Sequence, residues 1–412
     1  MPSKKTWLPA LAIVVLAGLA WLVHRDDSSV PPPPTVSTAP AAAALARAPL
    51  SGGRVAAAQA MAAPERRRQL VQNLQLADHT YCSYLASSRY PHASRPIAEQ
   101  PDQVYPNAPV TESNPMRLDG GGSDPKVQIQ SSQSRVYMAS GEVVAFSLRA
   151  IDGDGRVLPL VITRALAQGM TFNGARPAAQ AVLAFADDGK LADAVAGDGA
   201  WAAVLAPSQT ALATFNGTIR TDIRFSVGGR AGALMLDVIY SPELPAAWTG
   251  QVREAVEDGS LNFYLKADVR QAGRYIVTGR VDDAGGRPFA LATFNDMLGV
   301  GQQEVRLTTF GKLLRDQQPA LPLTLRDVDG FLLKEDTDPD RALMPRLEGK
   351  AFVGKPHPLT AFSDAEWQSE ERSRYLAEFR KDLGRARKAL ADADPGAPLP
   401  ASACPESAPN QQ

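Results

Sequence analysis

The sequence predicts a mainly β protein: two antiparallel β-sandwich domains with an N-terminal transmembrane helix and flanking α-helices. Three observations carry this. From Lys126 onward, apolar and polar residues alternate in short runs, the period-two signature of half-buried strands. Gly- and Asp-rich turns separate those runs with no long helix between them, which favours antiparallel pairing. A chain of 412 residues also exceeds what one compact core normally holds, so the strands divide between domains.

Residues 1–25 read as a cytoplasmic stub and signal anchor. Lys4 and Lys5 precede an uncharged apolar run from Trp7 to Val23, near the lower length limit for a membrane-spanning helix. The basic residues before it predict a cytoplasmic N-terminus and export of the remainder. Gly18-Leu19-Ala20 offers a cleavable signal peptide as the competing reading, but Trp21, Leu22 and Val23 continue the apolar run past it. The expected location is therefore single-pass in the inner (cytoplasmic) membrane, with the bulk in the periplasm or outside the cell. Residues 26–64 form a Pro/Ala-rich linker, stiff at Pro31–Pro34. Residues 65–125 combine a helix with a Pro-rich extended segment. Pro64 suits the helix's first turn, and Leu70, Val71, Leu74, Ala77, Tyr81 and Leu85 recur at helical spacing. Pro91, Pro96, Pro101 and Pro106 then recur every five residues, which rules out a helix or a central strand. That segment lies extended across a neighbouring domain or serves as a second linker.

The first sandwich is expected over 126–228. Val144, Phe146, Leu148 and Ala150 share one face of a strand, as do Ile219, Thr221, Ile223, Phe225 and Val227. The second is expected over 229–345, with the boundary near Gly228–Arg230. Its strands are Leu234–Tyr240, the run through Leu261, Phe263 and Leu265, a hairpin turning at Asp282–Gly286, "QEVRLTTFGKLL" and "LPLTLRDVDGFLL". Residues 346–392 form a C-terminal helical segment. Ser363 and Glu366 make a capping box, and Leu376, Phe379, Leu383, Ala386 and Leu390 form one stripe that should pack on the protein's own domains. Residues 393–412 read as a disordered tail.

A net charge of −1 offers no basic field, so no nucleic-acid partner is expected. The four histidines stand apart from one another, and neither a G-x-S-x-G elbow nor a phosphate-binding loop occurs, so the chain is read as non-catalytic. Cys82 and Cys404 are the two cysteines; in an exported chain they are a disulfide candidate, the alternative being two free thiols. The bond would close a loop for which chain entropy sets a ceiling of roughly 5–6 kcal/mol.

Three acidic clusters bear on metal binding. Asp336, Asp338 and Asp340 begin like an EF-hand loop, but Arg341 stands where the turn needs Gly and Leu347 where a bidentate Glu should close the site. Asp152 and Asp154 read as a hairpin turn. The third cluster, "FADDGKLADAVAGDGAW", holds Asp187, Asp188, Asp193 and Asp198 between two Asp-Gly corners. It should connect "AVLAF" to "AWAAVLA", with Phe185 and Trp201 anchoring its ends. Two readings stand: the carboxylates accept hydrogen bonds from their own backbone, or they hold calcium.

The stretch from Asp187 to Trp201 resembles the D-D-G-x-x-x-D-x-x-x-x-D-G-x-aromatic signature of immunoglobulin-like modules in bacterial exported proteins, also found in calcium-activated chloride channel regulators. "AGRYIVTGRVDDAGGRPFALATF" followed by "GVGQQEVRLTTFGKLLRD" is similar to the repeat of the same exported group, the "choice-of-anchor X" modules. The resemblance covers about residues 126–335 and implies Ig-like folds with no catalysis. The expected function is a membrane-anchored envelope protein presenting two Ig-like modules for structural work or to an envelope protein partner. The alternative is a calcium-dependent carbohydrate- or ligand-binding accessory protein.

Overall fold

The structure, a computed structural model, describes residues 52–171, 179–396 and 398–404. The expected membrane anchor and the linker up to residue 51 lie outside them. The chain divides into the units Met1–Glu65 and Arg66–Gln412. Among the described residues, no helix is long and apolar enough to cross a membrane.

The described chain is mainly β, with antiparallel sheets and few helices. Helix α1 (Gly52–Ser87) leads, followed by the short strand β1 (Ser94–Pro96). Next come β2 (Val110–Arg117), β3 (Ser123–Gln133), β4 (Tyr137–Ala139), β5 (Val144–Asp152), β6 (Val157–Leu158), β7 (Leu160–Gly169) and β8 (Gln180–Val182). They are followed by β9 (Trp201–Leu205), β10 (Gly217–Val227) and β11 (Arg230–Ser241). These ten strands, β2 to β11, make two sheets, ordered β2-β3-β5-β6 with β9 also on β5, and β4-β11-β10-β7-β8. Phe146 and Leu148 from the first sheet meet Ile219, Ile223, Phe225 and Tyr240 from the second in one core.

The second module contains β12 (Ala246–Glu257), β13 (Ser260–Val269), β14 (Gly273–Asp282), β15 (Pro288–Leu298) and β16 (Gly301–Thr309). Helix α2 (Gly311–Gln317), β17 (Thr324–Leu333), β18 (Arg341–Leu343), β19 (Leu347–Val353) and helix α3 (Glu370–Ala393) complete it. Its sheets run β12-β13-β16 and β1-β15-β14-β17-β18, with β19 also on β17. Phe263, Leu265, Tyr275, Val277 and Leu307 are fully buried between them. β1 precedes the whole first module in sequence yet pairs with β15, Ser94 opposite Ala292. The first module is thus inserted into the second.

Several expectations are corrected. The module boundary falls after Ser241, not at Gly228–Arg230. Gly228 and Gly229, with φ of 56° and 78°, form the two-residue turn of a hairpin that pairs Val227 with Arg230. Helix α1 begins at Gly52 rather than Pro64, which lies inside it. The intervening "RVAAAQAMAA" is rich in the best helix former. The Pro-rich segment is not a linker: it donates β1 to one module and β2 to the other. "GKLL", read as strand, opens α2. Helix α3 begins at Glu370, with the Ser369 side chain accepting from the Arg372 amide. Ser363 does not cap it, because its amide donates to Gly259 and its neighbour Phe362 is buried in the second core.

The helical stripe does pack on the protein's own chain. Leu383 and Leu390 of α3 bury against Leu74 of α1, with Leu70, Val71 and Tyr81 alongside. Of the expected disordered tail, residues 397 and 405–412 lie outside the described residues, and the segment at Ser402–Cys404 is held in place. The Ser402 hydroxyl and the Ala403 amide donate to the buried Asp78 carboxylate.

Candidate functional site

The Asp-rich loop leaves the second sheet of the first module at β8 and re-enters the first sheet at β9. A bridge between Ala186 and Ala202 closes its neck. Phe185 and Trp201 pack on the core on either side of that neck. The Asp187 carboxylate reaches across the loop and accepts from the Gly197 and Gly199 amides at 2.6 and 3.0 Å. Asp193 is 7% exposed and accepts from the Gly189 amide at 2.6 Å and the Val195 amide at 3.2 Å. Asp198 accepts from Ala200 at 2.8 Å. Gly199 holds φ at +81°, and a Cβ there would stand 2.5 Å from Val157 Cγ1, so both backbone and space demand glycine.

This folding gathers carboxylate oxygens of Asp187, Asp193 and Asp198 within 4.8 Å of one another. Asp188 is not brought in. It is exposed, accepts from the Lys190 amide at 3.1 Å and lies 3.8 Å from the Lys190 ammonium. Its side chain is committed to a local turn with Lys190 and is not one of the three that converge. Among the described residues, Asp187, Asp193 and Asp198 have no cationic side chain in ion-pair contact, so backbone amides alone offset their charge. Each oxygen that accepts an amide keeps a second lone pair. An all-oxygen, multiply charged donor set is chemically suited to a hard cation such as calcium.

The other clusters fall elsewhere. Asp152 accepts from the Asp154 and Arg156 amides and is a hairpin turn. The carboxylates of Asp336, Asp338 and Asp340 are not gathered into a converging group. Cys82 and Cys404 are bonded to each other, with Cys82 2% exposed.

One polar assembly left no sequence signal. Arg346 donates to Asn107 Oδ1 at 2.9 Å and to Asp329 Oδ2 at 3.3 Å, while its amide donates to Glu142 at 3.3 Å. Arg135 pairs with both Glu142 and Glu348. Two of these contacts, the Arg346 amide on Glu142 and Arg135 on Glu348, join the first module to the second, and their partners are 204 and 213 positions apart, beyond any local pattern.

The chain matches no protein-family model and no curated protein. Among solved structures it is similar to a DUF4785-family protein of Legionella pneumophila, with 14% identity and a TM-score of 0.37 over 55% of this chain and 57% of that one. It also aligns with the adhesin InvE of Yersinia pseudotuberculosis, with 14% identity and a TM-score of 0.16 over 53% of this chain and 58% of that one. The chain thus spans less than two thirds of either, and likenesses this distant carry no functional argument.

Proposed function

We propose that the protein is a non-catalytic scaffold of the cell envelope. In this reading two Ig-like sandwich modules are carried on an inner-membrane signal anchor and presented to an envelope protein partner. The observation that carries it is the bond between Cys82 and Cys404, the chain's two cysteines. Such bonds persist in oxidising compartments and not in the cytosol. The ion pair of Arg135 with Glu348 and the Arg346 amide on Glu142 support it further, since they hold the modules as one presenting surface. A fusion of the C-terminus to a reporter active only after export tests the location, with signal expected for the full chain and none when residues 1–25 are removed. Cross-linking in intact cells, followed by affinity capture of the tagged chain, tests for the partner; capture of the chain alone would sink the scaffold reading.

A second observation favours calcium in the Asp loop: three carboxylates converge without a cationic side chain. Asp187, Asp193 and Asp198 would hold the ion, which would neutralise their mutual repulsion. We expect millimolar affinity, typical of extracellular modules on the order of 10⁻⁴–10⁻³ M. Binding to the folded form alone raises Tm with calcium concentration. Melts with calcium and with chelator test this, and coincident curves rule it out.

A further inference from the structure

Beyond the scaffold role, a cleft opens where the end of α1, the segment around β1, strand β15 and the start of α3 meet. Its volume is about 540 Å³, within the roughly 300–1,000 Å³ range of small-molecule sites. Trp367 and Tyr84 supply aromatic walls, and Trp367 is 39% exposed. Tyr84 packs edge-on against Tyr375 and Phe379, and Trp367 against Phe310, which fixes both rings.

Two arginines line the cleft, and most of their donors are already engaged. Arg95 donates to Glu99 at 2.8 Å and to the Ser87 and Tyr90 carbonyls at 2.6 and 2.9 Å. Arg372 is 4% exposed and donates to Ser88 Oγ at 3.1 Å and Glu366 at 2.6 Å. Only Arg372 Nη1 is left over, on a side chain 4% exposed, so an anion finds no two-pronged guanidinium fork open to it. A cation meets two arginines whose carboxylate partners they already neutralise. The groups left for a ligand are the side chains of Glu371, Gln100 and His92, the Trp367 indole N–H and the Tyr84 hydroxyl. None of these has a side-chain hydrogen-bond partner among the described residues. Burial, and then the Glu371 carboxylate, raises the Tyr84 pKa, so its phenol remains a donor. An apolar ligand would leave these polar groups stranded. A polyhydroxylated one satisfies them while laying its C–H face on a ring.

We infer that this cleft binds a neutral saccharide. Isothermal titration of the whole chain with cellotriose and with chitotriose tests it, with inorganic phosphate and tetramethylammonium as charged probes. At least one trisaccharide should bind with a Kd of about 0.1–1 mM. Trp367→Ala and Glu371→Gln should each weaken it about tenfold, the loss expected for one stacking or charge-assisted contact. Both residues are exposed, so the variants should keep the wild-type circular dichroism. The cleft contains none of the Asp-loop carboxylates, so chelator should leave the affinity unchanged. No saccharide binding up to about 10 mM, unchanged affinity in both variants, preference for either charged probe, or affinity lost to chelator would each overturn the assignment.

Discussion

Replacing Asp193 by Ala probes how the acidic loop is held. The change removes two amide acceptors, at 2.6 Å for Gly189 and 3.2 Å for Val195. Hydrogen bonds to a charged group are worth roughly 1.5–3 kcal/mol each, and the longer one belongs at the low end, so the gross loss is about 4 kcal/mol. Against this, Asp193 stands within 4.8 Å of two other carboxylates. Asp187 is half-buried and Asp198 exposed, so solvent screens both pairs; couplings of such open charges reach about 1 kcal/mol each, and the substitution recovers about 2 kcal/mol. A net loss of about 2 kcal/mol follows in chelator, equivalent to roughly 6–8 °C in Tm for a module of this size. Asp198 has one amide partner and is exposed, so Asp198→Ala should cost about 1 kcal/mol or less. Urea unfolding followed by fluorescence reads this at Trp201, which closes the loop, once the chain's four other tryptophans are replaced by Phe in both proteins compared. If calcium binds, wild-type repulsion is already relieved, and the Asp193→Ala loss should grow by about 2 kcal/mol in saturating calcium. A loss below about 0.5 kcal/mol in chelator, or Asp198→Ala costing more than Asp193→Ala, would refute the view that backbone donors hold this loop.

Three further outcomes are expected. Gly199→Ala should destabilise the first module by at least about 1–2 kcal/mol in thermal melts, since the new Cβ combines positive φ with a clash on Val157. Reducing the Cys82–Cys404 bond should expose the segment around Ser402 to limited proteolysis, and Asp78→Ala should speed the cleavage further by removing its remaining hold on that segment. At Asp283, burial disfavours the charge, but the Arg287 amide and guanidinium and the Gly285 amide outweigh it and hold the carboxyl below its usual 3.8. Its stabilising contribution is therefore present above pH 3.8 and lost as pH falls through the lowered value, and Asp283→Asn should flatten the acid limb of a urea-midpoint profile.

What could be read from the sequence follows from how local each cause is. Strands such as β5 and β10 alternate buried and half-buried residues along their length, and the alternation is written in the residues themselves. β2 could not be found that way, because all its residues but Met116 are exposed and no period survives. β1 is three residues long and ends on a proline, so only its partner β15 makes it a strand. The Asp loop was legible because Asp-Gly corners and closely spaced carboxylates are local signals. The exclusion of Asp188 was not, since it depends on which way one turn faces. The saccharide cleft was illegible throughout: Tyr84 and Trp367 are brought together by helix packing and by the Trp367 amide donating to the Arg89 carbonyl.

The insertion of one module within the other has a mechanical consequence. A partner pulling on the first module loads the second through two tethers in parallel, residues 97–109 from β1 and residues 242–245 into β12. The shorter tether tightens first and takes most of the tension. The longer one is clipped to the second module by Asn107, whose amide donates to Asp327 at 3.1 Å, and by the Val104 carbonyl, which accepts from Arg280. Those clips act as a slack reserve: if β12 peels from β13 and the shorter connection lengthens, the clips open next and let the longer one out by a fixed step.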